Sequence, residues 1–218
     1  ASQNAAVNGT VVVNHGGSDT EAAVGEVRAE KGNNTAKNTT VANAKAVTVK
    51  AESDDVRVAA AGNVSASGKV AVGGAVAYND VGGASTSTAK ASQKTRAALN
   101  KTTLTHVNSG STSVKAVDGS TLTTTAAGVG GAGNVAVQGA AATALVNKTV
   151  TADVQDTFVD KDADKGAYVT VQADSKSTIN SQAVVGAVSE NFAGGAGVSV
   201  NRINQDTTAT MSGSTVKD

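Results

Sequence analysis

The sequence contains no cysteine and no proline. Lack of cysteine removes disulfides, thiolate metal sites and thiol nucleophiles from consideration. Lack of proline means that no residue is barred from donating to a strand ladder. Tryptophan is also absent, and aromatics make up 2% of the chain, as Tyr78, Phe158, Tyr168 and Phe192. Leucine and isoleucine are confined to Leu99, Leu104, Leu122, Leu145, Ile179 and Ile203. A globule of 218 residues normally fills its interior with such side chains. Here only Val and Ala are plentiful, which suits a narrow interior between closely spaced sheets.

Charge is balanced, with 18 Lys and Arg against 18 Asp and Glu. No basic stripe is present to neutralise phosphates, and stacking aromatics are too few for single strands, so nucleic acid is excluded as a partner. The least polar run, 126–144, is broken by Asn134, Gln138 and glycines, and aromatic girdles are missing, so this segment is not expected to be membrane-embedded. Gly, Ser, Thr, Asn and Lys are abundant, as in disordered chains, but the valine alternation described next has no place in one.

Gly68 to Asn79 reads G-K-V-A-V-G-G-A-V-A-Y-N. Period-2 alternation of this kind predicts a strand with one buried face. Gly73 and Gly74 predict a sharp bend between two short strands, because glycine accepts backbone angles that other residues resist. Related runs occupy Gly133 to Asn147 and Gly194 to Asn201, with a degraded one at Gly9 to Asn14. A second marker precedes each later copy: Val47 to Ala51, Ser113 to Ala116, and Val169 to Ala173. Two markers in near-constant phase define an internal repeat. Its copies cover about 41–107, 109–164 and 166–218. The closing residues Asn14, Asn79, Asn147 and Asn201 are expected at corners, where Asn tolerates left-handed backbone.

A repeat of this length suits three turns of about 20 residues, so the reading is an all-β parallel β-helix, or β-solenoid, of roughly ten turns stacked at about 4.8 Å. Val70, Val72, Val135, Val137, Val169 and Val171 are expected inward. Lys69, Ala71, Ala136, Thr170 and Gln172 are expected outward. Residues 1–26 read as coil around a Val11–Val13 strand, with Ala22 to Ala29 a weak helix turn. Lys31 to Thr40 reads as a polar loop, Ala84 to Ala91 as a strand, Gln93 to Asn100 as a short helix, and Asp153 to Lys165 as an exposed loop.

No catalytic, cofactor-binding or metal site is expected. Asp160, Asp162 and Asp164 have the opening spacing of a calcium loop, but Lys165 and Val171 stand where an EF-hand needs Gly and Glu. Asp54 and Asp55 are adjacent strand residues facing opposite ways. His15 and His106 lack any nucleophile context.

The A-x-G-x-V-A-V-G-G-A-V-A-x-N run followed by a Thr-rich strand, Ala66 to Thr88 here, resembles the passenger repeats of large type V autotransporter adhesins of Gram-negative anaerobes, the fusobacterial ones especially. The resemblance covers about three quarters of the chain. It implies a right-handed β-helix, displayed at the cell surface on the outer membrane, as one segment (1–218) of a longer passenger. Adhesion or aggregation is the implied role, with a host-cell or bacterial surface protein or glycan as partner and self-association as a further expectation. The alternatives are a passive stalk, favoured locally by scarce hot-spot residues, and a polysaccharide-active enzyme, for which clustered carboxylates and aromatic platforms are lacking.

Overall fold

The computed structural model describes residues 4–25, 38–83, 93–161 and 168–217. All regular structure among them is strand. In chain order the strands are β1 (Ala5–Gly16), β2 (Asp19–Gly25), β3 (Thr39–Ser67), β4 (Val70–Val81), β5 (Gln93–Asn100), β6 (Thr102–Ala132), β7 (Val135–Gln155), β8 (Phe158–Lys161), β9 (Tyr168–Ser189), β10 (Phe192–Ser212) and β11 (Thr215–Val216). They form two parallel sheets. In the first, β1 pairs with β4, β4 with β7 and β7 with β10, while β2 pairs with β5 and β5 with β7. In the second, β3 pairs with β6, and β6 pairs with both β8 and β9.

The chain alternates between the sheets, and each return adds a row beside the last. Ala5 pairs with Val70, Val70 with Val135, and Val135 with Phe192. Partners are thus 65, 65 and 57 residues apart, so one sequence repeat supplies one long row to each sheet. That replaces the expected three turns of about 20 residues, and the described strands make four rows in the first sheet. Parallel rows stacked in this way are compatible with a β-solenoid. The markers expected to be equivalent are neighbours: Lys50 pairs with Lys115 and Lys115 with Gln172.

Corners, not glycine pairs inside strands, divide the rows. Gly68-Lys69, Gly133-Asn134 and Glu190-Asn191 each connect the second sheet to the first. A Cβ on Gly133 would collide with the Gly68 carbonyl, so this corner needs glycine for close approach. At the opposite end Lys101, Asp156 and Gly213 take left-handed φ of 46°, 47° and 59°. Each is followed by a hydroxyl residue that donates back two residues: Thr102 to the Asn100 carbonyl at 2.9 Å, Thr157 to Gln155 at 3.0 Å, and Ser214 to Ser212 at 3.0 Å. A side-chain bond of this type fixes a turn without help from the sheet. The composition reading missed the shared pattern N-K-T, Q-D-T and S-G-S.

The interior differs from expectation at four valines. Ala71 and Ala136 are fully buried, whereas Val70, Val72 and Val137 are 36–38% exposed on the outer face. Val135 shares that outer column, next to Val70. In β9 the assignment holds: Val169 and Val171 pack against the core, with Thr170 and Gln172 exposed. Lys69 is exposed as expected. The reason for the inversion is space. Across the middle of the molecule the core consists of Ala59, Ala61, Ala75, Ala77, Ala126, Ala140 and Ala142, and a Cβ on Gly128 would lie 2.8 Å from the Gly139 carbonyl. In the central rows two sheets this close leave no room for valine between them; in the end rows Val12 and Val185 pack against the same cluster and are only partly buried. The interior widens toward the Lys101 corner, where Leu99, Leu104, Val114, Val150, Val154 and Val159 fill it.

Other expectations are corrected too. Gln93–Asn100 is β5, not a helix, since pairing with β7 on one side and β2 on the other overrides local propensity. β1 and β2 take up most of the expected N-terminal coil, and Ala22–Gly25 belongs to β2. Asp153–Lys161 is not an exposed loop: Val154 and Val159 are fully buried in β7 and β8. Gly73-Gly74 makes no bend, because β4 is continuous. Residues 26–37, 84–92 and 162–167, which hold the remaining loop, strand and charged-cluster expectations, lie outside the described residues.

The two neighbouring glycines therefore have different constraints. A Cβ on Gly73 would run into the amide oxygens of Asn63 and Gln138, while one on Gly74 would meet nothing within 4 Å. Gly73→Ala should cost about 1–3 kcal/mol by overpacking, and Gly74→Ala should change stability by less than about 0.5 kcal/mol. Urea unfolding followed by circular dichroism measures both. Equal effects would reject this assignment of faces.

Candidate functional site

Among the described residues the largest fully buried side chain is charged. Lys148 of β7 is 1% exposed and faces Asp118 of β6, which is 0% exposed. The Lys148 ammonium lies 2.6 Å from Asp118 Oδ1. It also donates to the Asp118 carbonyl at 3.2 Å, Ser120 Oγ at 3.3 Å and the Lys176 carbonyl at 3.3 Å. On its other side the carboxylate accepts from Thr95 Oγ1 at 2.7 Å and Gln93 Nε2 at 3.2 Å. The pair bridges the two sheets. In the rows beside it the same columns are polar but uncharged: Gln93 lies next to Lys148 on one side and Gln205 on the other, while Ser53 and Ser175 flank Asp118. Gln205 in turn donates to Ser177. A polar layer thus crosses the stack between the apolar clusters on either side of it.

A second polar layer lies near the Gly133 corner. Gln138 is buried and donates to Ser65 Oγ at 2.6 Å, and Asn63 lies beside it. Asn79 reaches across the interior to the carbonyls of Arg57 at 3.0 Å and Thr123 at 3.2 Å, tying one sheet to the other. The four closing asparagines are thus not corner residues. Each lies inside a strand, and none has positive φ. Asn14 pairs with Asn79, and Asn79 and Asn201 both pair with Ala144. Asn147 is three positions out of that column and pairs with Asn204.

On the outer face of the first sheet a charged ladder joins three rows. Arg96 holds Asp153 in a two-pronged contact at 3.1 and 2.8 Å and reaches Glu21 at 2.6 Å. Burial works against the Arg96 charge, but the bonds to Asp153 and Glu21 prevail and raise its pKa. On the second sheet Glu52 is held below the usual carboxylate range by its bond to Lys50. A wide, open depression lined by Glu21, Lys94, Arg96, Asp153 and Asp206 follows the first ladder. Its central guanidinium is already matched by two carboxylates.

The residues weighed as candidates do not converge. Asp54 points outward while Asp55 binds Arg57 at 3.0 and 2.9 Å, so the two carboxylates act separately. His15 lies on the outer face with its Nδ1 2.9 Å from Asp80, whose carboxylate also accepts from the Tyr78 hydroxyl at 3.3 Å. The side chain of His106 and the loop containing Asp162 and Asp164 lie outside the described residues. Among the described residues, no group of three or more His, Cys, Asp or Glu could hold a metal ion, and no helix is long and apolar enough to cross a membrane.

What remains is surface. From β1 through β4 and β7 to β10, the outer positions form columns: Val7, Val72, Val137 and Gly194; Gly9, Gly74, Gly139 and Ala196; Val11, Val76, Ala141 and Val198. Val7 is 81% exposed, and Val198 55%. None of these side chains carries a polar atom. This apolar face is the candidate interaction surface. The valine alternation carries its signal in the sequence, although alternation alone points to a core instead of an outer face. No family model, curated protein or solved structure matches the chain.

Two outcomes test the polar features. Removing one partner of a buried pair strands the other, so Lys148→Met should cost about 3–5 kcal/mol in urea unfolding, and adding Asp118→Leu should recover part of that loss. Strict additivity would reject a coupled pair. Burial first, and the Asp80 carboxylate second, raise the Tyr78 pKa above the ordinary tyrosine value. The folded state then keeps a proton that the unfolded chain releases. Its contribution to stability is complete below the unfolded value and is lost as pH rises through the folded one. Asp80→Asn should move the Tyr78 absorbance titration to lower pH.

Proposed function

We propose that this chain is a segment of a surface-displayed autotransporter adhesin passenger, built as a right-handed β-helix and acting in cell adhesion or aggregation. The observation that supports it best is the repeat-for-row stacking: each repeat adds one row to each of two parallel sheets, in register with the row before. Such an architecture multiplies one surface column along its length instead of concentrating chemistry at one place. The polar side chains fit this reading. Asn79, Gln138 and Lys148 tie the interior, and Arg96 is matched by Asp153 and Glu21 in the rows beside it, so the surface features that recur from row to row are extended faces.

The partner class is a host-cell or bacterial surface protein or glycan, and the location is the cell exterior at the outer membrane. A passive stalk is the second reading. It draws support from the scarcity of aromatic side chains, which make up 2% of the chain with no tryptophan, since Tyr and Trp dominate binding hot spots. In neither reading does the segment act as an enzyme.

Immobilised protein presented to host cells, to bacteria and to a glycan array separates the two. An adhesive segment retains cells or binds discrete glycans, and retention of cells through a surface protein falls when outer-face residues such as Val76 or Val198 are changed to Lys. A stalk binds nothing in any of the three formats, and that outcome would overturn the adhesive role.

A further inference from the structure

We propose that the apolar outer face of β1, β4, β7 and β10 is a self-association surface, on which a second copy of this chain packs face to face. Three observations carry this, and none depends on the adhesin reading.

The first is the glycine column. Gly9, Gly74 and Gly139 are successive neighbours across three rows. A Cβ on Gly74 would meet nothing within 4 Å, and those on Gly9 and Gly139 would only graze a carbonyl at 3.9 and 4.0 Å. All three have ordinary negative φ, since none appears among the positive-φ glycines. Nothing within the molecule therefore requires glycine at these positions, and glycine in a strand interior weakens the strand. Glycine there lets something from outside approach the backbone.

The second is relief. The glycine column is a groove between two ridges, Val7, Val72 and Val137 on one side and Val11, Val76 and Val198 on the other. A ridge of one copy fits the groove of another, and the reverse holds at the same time. A two-fold dimer needs a patch that is complementary to itself in this way. Sheets packed face to face stand about 10 Å apart with their side chains interdigitated.

The third is charge and area. From Ala5 to Val13, and over the paired stretches of the next three rows, the outer positions carry no charged side chain. Their only polar side-chain atoms are the Tyr78 and Thr143 hydroxyls. Two identical faces can therefore meet without like-charge repulsion. Nine residues at about 3.3 Å and four rows at about 4.8 Å span a face of about 600 Å². That lies at the upper limit of what monomers expose, about 600 Å², and approaches the share of about 800 Å² that each partner buries in a standard interface. A glycan would need hydrogen-bonding groups that this face lacks, and a membrane surface would need a basic rim.

Sedimentation velocity on the full chain, from about 1 µM to about 1 mM, covers the range in which interfaces of this size dissociate. The expected result is a monomer–dimer equilibrium. Val72→Lys together with Val137→Lys should abolish it, and Gly74→Val should weaken it about tenfold or more by filling the groove. Circular dichroism and melting temperature should remain those of the parent, because all three side chains point outward. A parent that stays monomeric throughout would overturn the proposal, as would a dimer indifferent to all three changes. Binding of anionic vesicles by a monomeric parent, lost in Val72→Lys with Val137→Lys, would overturn it in favour of a lipid surface. A monomer would leave the adhesin reading standing, and that reading could fail on cells and glycans while the dimer remained.

Discussion

The gap between the two sheets governs the rest of the structure. Where a Gly128 Cβ would lie 2.8 Å from the Gly139 carbonyl, the fully buried apolar side chains are all alanine. Toward the Lys101 corner the gap opens enough for leucine, valine and one lysine. A sheet pair held this closely gains dispersion contact between backbones, but it buries little apolar area per side chain, because a methyl group is all that each position contributes. Stability then leans on the ladders between rows, where each central row is bonded on both sides, and on side chains that cross the gap. Asn79, Gln138 and Lys148 are three such crossings, spaced along the interior from the middle toward both ends.

Spacing of this kind also explains what the sequence disclosed and what it concealed. Register was legible because in-line markers such as Lys50, Lys115 and Gln172 become neighbours in a parallel stack, where any repeat aligned in sequence is aligned in space. Faces were less legible. Alternation divides a strand into two sets but does not say which is inside, and the usual rule that the larger apolar set is buried fails when the interior is too thin for it. In β9 the rule succeeded, since Val169 and Val171 lie at the wide end. The number of turns was hidden for another reason. Period-2 patterning continues across any length of straight strand, so corners must be found from their own chemistry. That chemistry was present as a left-handed residue followed by a hydroxyl, at Lys101-Thr102, Asp156-Thr157 and Gly213-Ser214. These pairs do not stand out in a chain so rich in Thr, Ser and Lys.

The candidate surface was half visible. Alternation reveals its valines and the Gly73-Gly74 pair reveals its glycines, but neither pattern says that they face outward, and the usual reading makes them core and bend. The polar layer was less visible still. Lys148 and Asp118 are 30 residues apart in unrelated local contexts, and only the position of the corner brings them opposite each other. A buried pair of this kind contributes little net stability over apolar substitutes. It does penalise any slide of one sheet along the other, because the slide parts the ammonium from the carboxylate and leaves two buried charges unpaired. An alanine-lined gap has no such discrimination of its own, since one methyl group packs much like the next.

The same economy links interior to exterior. Where the narrow gap excludes valine from the inside, along the Ala75–Ala77 stretch of β4 and the Ala140–Ala142 stretch of β7, the strands still need β-branched residues to hold an extended backbone, and the outer face is the place left for them; farther along, Val81, Val146, Val150 and Val154 lie inside. Exposed valine is thus the consequence of a thin core. That consequence accounts for Val72, Val76 and Val137, whose neighbours above and below are also strands. It does not account for Gly74 and Gly139, which lower strand propensity on the very face where valine restores it. Thin cores explain ridges but not the groove between them, and the groove is what distinguishes a face shaped for contact from one that is merely apolar.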